Sequence, residues 1–156
     1  MKVMISYFYQ IRFFKPNMIP LSTAMWDPKW FHDNKGSSHK FFDKNGVLNG
    51  VRAEPFVPAN ECSGLCRGRE NCSPGIEPGE CPFLYTYFDQ LCALDFNEIM
   101  KRFEKLGKTV QSDRGFFEEP VMVLIVYETP QNPCSERGTI KAWFAKHNYE
   151  LEEFVP

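Results

Sequence analysis

The chain has 156 residues, room for one compact domain of ordinary size rather than two. Aromatic residues make up 15% of it, and 18 basic residues stand against 20 acidic ones, for a net charge of -2. This excludes a disordered chain, and it excludes an indiscriminate nucleic-acid binder, which carries a clear positive excess.

No apolar run reaches the roughly 20 residues needed to cross a bilayer. The opening MKVMISYFYQIRFFKPN carries no small-residue cleavage site and is interrupted by Arg12 and Lys15, so no secretory signal is expected and the chain reads as cytoplasmic. In a reducing compartment its six cysteines would serve metal binding or chemistry rather than disulfides.

Residues 3 to 9 are β-branched and aromatic and predict a buried first strand. Met18 to Ser22 predicts a second, with Pro20 marking an edge or a strand end. From Trp26 to Pro58 the chain is irregular and rich in turn dipeptides, with strand-like pieces only near Phe41-Phe42 and Val51 to Val57. Short hairpin pieces or a lid are expected there. Residues 60 to 82 hold a Cys-rich insert with Gly, Pro and Ser and almost nothing apolar. After Pro82 the pattern turns helical, with Phe83, Tyr87, Gln90 and Leu91 on one face. Asp95, followed by Glu98, caps a second helix, and Gly107 is read as its C-cap. Val121 to Tyr127 is apolar without alternation, as in the centre of a parallel sheet. Ser135 caps a helix running to about His147, and Tyr149 to Val155 reads as a last strand. The order predicts a single α/β domain over residues 1 to 156, a Rossmann-like sandwich with a mostly parallel sheet and a four-cysteine metal-binding insert.

Cys62, Cys66, Cys72 and Cys81 follow the frame C-x3-C-x5-C-x8-C in a segment with no other means of folding. Four thiolates close a tetrahedral shell round Zn2+, and the binding energy stands in for the missing core. Four thiolates leave no open position for substrate, so the zinc is read as structural. An iron–sulfur cluster uses the same ligands, and disulfides or free thiols remain open as well. Arg67 and Arg69 offset the thiolate charge. Cys92, on a helix, reads as a small buried hydrophobe.

In open parallel sheets ligands bind beyond the carboxyl ends of the strands. There the pattern sets Ser6 and Tyr7, Ser22, and Glu128, followed by Cys134, Ser135 and Arg137 at a helix start. Backbone N–H groups at a helix start hold anions, Arg137 adds a bidentate grip on phosphate or carboxylate, and the positive end lowers a thiol pKa. Glu128 suits a general base or a sugar-hydroxyl acceptor. The bland reading is equally open: Ser135 as an N-cap, Glu136 favouring the helix dipole, Arg137 bridging Glu128, Cys134 simply buried. Trp30, after Asp27-Pro28, either packs or lines a pocket, and aromatics beside Lys29, His32, Lys35, His39 and Lys40 suit a flat base. His32 and His39 could serve as acid or base, and His147 suits a helix C-terminus.

These residues resemble the bacterial and phage family catalogued as domain of unknown function 488, in its short-form subclade with a Cys-rich insert. Ile5-Ser6-Tyr7-Phe8 with Ile19-Pro20-Leu21-Ser22 matches its TSYF…PISI pattern, and Pro28-Lys29-Trp30-Phe31 its P-x-W turn. Val126-Tyr127-Glu128-Thr129-Pro130 through Cys134 to Trp143 matches its C-Y-E-x-P…C-H-R…W. Val126 replaces a Cys of that pattern, and Cys134-Ser135-Glu136-Arg137 replaces Cys-His-Arg. The resemblance implies a Rossmann-like fold and brings no established reaction.

Three functions follow as expectations. The first is a hydrolase or transferase on a nucleotide, nucleoside or nucleic-acid base. Its catalytic groups would be Glu128, Cys134 and Arg137, and Ser6, Tyr7, Ser22, Trp30 and Ser135 would bind substrate. The second is a zinc-stabilised module binding nucleic acid or protein without catalysis, and the third a purely structural domain. A small-molecule anion or nucleotide is the expected partner, nucleic acid is possible, and no membrane is expected.

Overall fold

A computed structural model of the chain describes residues 1–32, 42–43, 46–47, 51–62, 81–132 and 134–156. β1 (Lys2–Tyr7), β2 (Met18–Ser22), β5 (Val51–Arg52), β6 (Val121–Val126) and β7 (Glu152–Glu153) form a five-stranded sheet in the order β5-β2-β6-β1-β7. Every pairing in it is parallel. β6 is the central strand because its unbroken apolar sequence can be covered on both faces, and five of its six residues are buried. β3 (Phe42–Asp43) and β4 (Gly46–Val47) make a separate antiparallel pair, the hairpin piece expected in the irregular stretch.

α1 (Lys29–His32), α2 (Pro82–Cys92), α3 (Phe96–Arg114) and α4 (Glu136–Lys146) complete the fold. Residues of α2, α3 and α4 join Val3, Ile5, Ile19, Leu21, Met122 and Leu124 in one core. On the other face Phe8 and Ile11 of a 3-10 helix, with Phe31 of α1, cover Val123 and Ile125. The chain therefore moves toward the β5 edge over one face and back toward β7 over the other, which gives all its crossovers the same hand.

This arrangement sets the position of the site. β1 and β2 leave the sheet toward the α1 face, whereas β6, lying between them, leaves toward α4. A crevice opens at the carboxyl end of a sheet where neighbouring strands depart in opposite directions. Here that switch falls at Tyr127 and Glu128, which is where strand order directs a ligand.

Three local expectations are corrected. Gly107 does not end α3; the helix runs on to Arg114 and closes at Gly115, left-handed at φ 70°, whose N–H reaches the Gln111 carbonyl at 2.8 Å. Gly107 instead marks close approach: a Cβ there would lie 3.0 Å from Pro120 Cβ and 3.0 Å from Met122 Cε. The strand expected from Tyr149 to Val155 shrinks to Glu152–Glu153, because the Tyr149 hydroxyl itself accepts the Val3 N–H at 2.8 Å, where a longer strand would have paired. The strand-like Val51 to Val57 is β5 followed by a 3-10 turn, Glu54–Phe56, with Pro55 inside it. Pro20 sits in an internal strand, but β5 reaches only Leu21 and Ser22, so at Pro20 that side of β2 is an edge.

Candidate functional site at the carboxyl edge of the sheet

Glu128 follows the central strand, and the chain turns back to start α4. Asn132 shapes that turn: its N–H reaches the Thr129 carbonyl at 3.0 Å and its side chain accepts the Cys134 N–H at 2.9 Å. Ser135, in extended conformation, caps α4 by accepting the Arg137 N–H at 3.1 Å. The same hydroxyl donates to Glu128 Oε2 at 3.1 Å. Cap and strand-end carboxylate are thus one unit.

Glu136 is the group the sequence reading treated only as a dipole-friendly residue. Its carboxyl is pushed up to about 7, first by burial and then by the neighbouring Glu128 charge, against a backbone hydrogen bond that opposes the shift. The site therefore presents two neighbouring carboxyl groups, and the fold favours the protonated form of Glu136. The signal was faint, because nothing in the sequence reveals that a first-turn glutamate is covered by its own fold.

Arg137 does not bridge Glu128. It is 5% exposed, and its Nε faces Glu153 of β7, which Lys141 also approaches at 3.4 Å. The guanidinium carbon lies 5.8 Å from the centre of the Tyr7 ring, and Nη1 and Nη2 have no hydrogen-bond partner among the described residues. Cys134 is exposed, not buried, one residue before the cap. Tyr7 ends β1, its hydroxyl accepting from Gln10 at 2.8 Å.

Ser6 and Ser22 flank Ile125 in register, on the sheet face opposite α4. Ser6 Oγ is buried with no partner among the described residues. Ser22 donates to Asp27 and accepts the Ala24 N–H at 3.2 Å. Arg52 closes a bracket that sequence reasoning missed: Nη1 on Asp27 at 2.8 Å, Nη2 on the Ala24 carbonyl at 3.0 Å, Nε on Glu54 at 2.9 Å. Trp30 is partly buried, its ring edge-on to Phe8 at 6.0 Å and to Phe31 at 6.2 Å. The exposed indole is Trp26, whose carbonyl accepts the Tyr127 hydroxyl at 2.5 Å. Burial, then the Asp27 charge, raises the pKa of that hydroxyl, which keeps it a donor.

Of the four-cysteine frame, Cys62 and Cys81 are described, and Cys66 and Cys72 lie outside the described residues, as do Arg67, Arg69, Lys35, His39 and Lys40. Cys62 is buried with Sγ 3.9 Å from Gln90 of α2, and Cys81 is the half-buried residue before the first turn of the same helix. Both ends of the insert are thus anchored on α2. Among the described residues no three His, Cys, Asp or Glu side chains converge as a metal set. Cys92 is half-buried, 3.6 Å from Lys146 Nζ. His32 ends α1, and His147 caps α4 with its ring stacked on Phe96 at 4.7 Å. No described helix is long and apolar enough to cross a membrane. No protein family matches the chain, and no curated protein or solved structure shows significant similarity to it.

Proposed function

We propose that this protein binds and acts on a nucleotide, nucleoside or nucleic-acid base in the crevice around Glu128. One observation carries the reading: the central strand leaves the sheet opposite to both its neighbours, and at that point Glu128, Ser135 and Glu136 come together. A carboxyl group whose proton affinity is raised, beside a second carboxyl group held by a hydroxyl, suits cleavage of a bond between a sugar carbon and a base nitrogen. Glu136 would give its proton to the departing nitrogen. Glu128, oriented by Ser135, would take a proton from the water or hydroxyl that adds to the sugar carbon. The buried Arg137 beneath Tyr7 supplies positive potential, and Cys134 lies at the rim. The likeness to the domain of unknown function 488 family belongs to the same proposal, since its motif blocks cover Ser6, Tyr7, Ser22 and Glu128.

The cysteine frame is proposed as a structural zinc site, with an iron–sulfur cluster as the other occupant of four thiolates. The donor chemistry suits it, and Cys62 and Cys81 beside α2 give such a site two fixed ends. The metal would hold the insert and take no part in proton transfer.

The test is incubation with a nucleoside and nucleotide panel, followed by chromatography for free base. Release of base that Glu136→Gln and Glu128→Gln abolish supports the reading. A second reading, binding without chemistry, is favoured by Arg137 being tied into the core by Glu153. It predicts ligand binding with no turnover. Absence of binding by every member of the panel overturns both.

A further inference from the structure

The segment from Ser22 to Asp27 is held unusually firmly for a loop. Thr23 gives both its N–H, at 3.0 Å, and its hydroxyl, at 2.9 Å, to the Ile125 carbonyl. Arg52 grips the Ala24 carbonyl and Asp27, Ser22 bonds Asp27, and the Tyr127 hydroxyl fixes the Trp26 carbonyl. At its tip this segment leaves the Trp26 side chain 80% exposed. The other two indoles are more enclosed: Trp143 is fully buried and Trp30 is partly buried against Phe8. Leaving a large apolar ring in water forfeits the burial that would stabilise the fold. Fixing its backbone lowers the ordering cost of a contact made by that ring.

The position is equally specific. Tyr127, whose hydroxyl holds Trp26, immediately precedes Glu128, and its half-exposed ring lies 4.6 Å from that of Phe8. Trp26 therefore stands beside the end of the central strand, on the side opposite α4. At the end of the central strand stand Glu128 and Glu136: Glu136 favours its protonated form, which donates, and the Glu128 charge accepts from neutral N–H and O–H donors and repels phosphate. A flat, uncharged heterocycle meets both requirements. A phosphate would have to point away.

We propose that Trp26, rather than Trp30, is the stacking platform that binds the base of a nucleoside, free or within a single strand. This rests on the nucleoside reading above and adds the residue that selects a flat ring. Aromatic stacking of one base contributes enough that its removal weakens binding on the order of tenfold or more.

Adenosine, adenosine monophosphate and a short single strand of deoxyadenylate are titrated into the full chain. Calorimetry and the Trp26 indole N–H resonance are read together. The expected result is a shift of that resonance with adenosine, weakening of about tenfold or more in Trp26→Ala, and near-retention in Trp26→Phe, both variants melting as the parent does. Adenosine binding at least as tightly as its monophosphate identifies a free nucleoside; binding of the strand alone identifies single-stranded nucleic acid; either supports the platform. Parent and Trp26→Ala binding adenosine within twofold of each other, with an unmoved indole resonance, overturns the platform and leaves the nucleoside reading standing. No binding of these probes or of their guanine, cytosine and uracil counterparts by the parent chain overturns the nucleoside reading, and the platform with it.

Discussion

Ser135 donates its hydroxyl proton to Glu128 while accepting the N–H of Arg137, so a single oxygen joins the central strand to the first turn of α4. Ser135→Ala removes both bonds. It is expected to cost about 1 kcal/mol, the usual value of an N-cap, seen as a lowered urea midpoint. Ser135→Asp restores the cap but sets a third carboxylate beside Glu128 and Glu136. It should lose catalysis or ligand binding even where stability returns.

Glu136 gives the fold a pH dependence of definite sign. Its carboxyl sits at about 7 against an ordinary value of 4.5, so the folded chain keeps a proton that the unfolded chain releases. The stability from this group is complete below pH 4.5 and is lost as pH rises to about 7, on the order of 3 kcal/mol in all. Glu136→Gln should flatten that part of the profile and stabilise the protein at pH 8. Denaturant unfolding of parent and variant from pH 4.5 to 8 checks it, and identical slopes would place Glu136 in contact with water.

Arg137 and Glu153 form a largely buried pair, with Lys141 as a second cation on the same carboxylate. Glu153→Ala leaves two positive charges facing each other, one of them buried. It should cost about 2–3 kcal/mol, roughly 5–10 °C in melting temperature for a chain of this size. The double replacement Arg137→Met with Glu153→Leu should recover most of that loss, because it leaves no unpaired charge. Calorimetric melting of the three variants decides between a structural pair and a weak surface contact.

Gly107→Ala sets two effects against each other. Alanine gains about 1 kcal/mol of helix propensity. Its Cβ would meet the Pro120 ring and the Met122 methyl at 3.0 Å each, and crowding a packed contact costs about 1–3 kcal/mol. Met122 Cε can move, but the proline ring has no such freedom, so a net loss of about 1 kcal/mol is expected. A stabilised variant would mean that α3 can shift away from β6.

Elemental analysis of the purified protein should find one zinc per chain or, for an iron–sulfur cluster, two or four irons with matching sulfide. Cys72→Ser should lose the metal and release the insert to proteolysis. Cys92→Ser should keep it, since Cys92 sits on α2 beside Lys146. A metal-free parent protein ends the proposed cysteine site.

The parallel sheet was readable because β6 is apolar at every position, which only a strand covered on both faces tolerates. Asp95 and Ser135 were readable as caps because capping depends on residues only a few positions away. What could not be read depends on distant partners. Arg137 meets Glu153 only because β7 pairs with β1, and Glu136 shifts only because the fold covers it. Gly107 looked like a stop signal, although its role is to admit Pro120 and Met122. Trp26 and Trp30 are four residues apart with like surroundings in sequence, and only packing on Phe8 tells them apart.

The sheet's outer strands are two residues each, Val51–Arg52 on one side and Glu152–Glu153 on the other. Beside the second, the Tyr149 phenol already occupies the Val3 amide. Among the described residues, then, the lateral margins offer a passing polypeptide few consecutive backbone groups to zip onto, and one margin carries two carboxylates already paired with Lys2, Arg137 and Lys141. Fibril growth by edge addition has little to start from. A protein that docks by lending a strand would find poor purchase, which directs recognition to side chains at the end of the sheet rather than to its flanks.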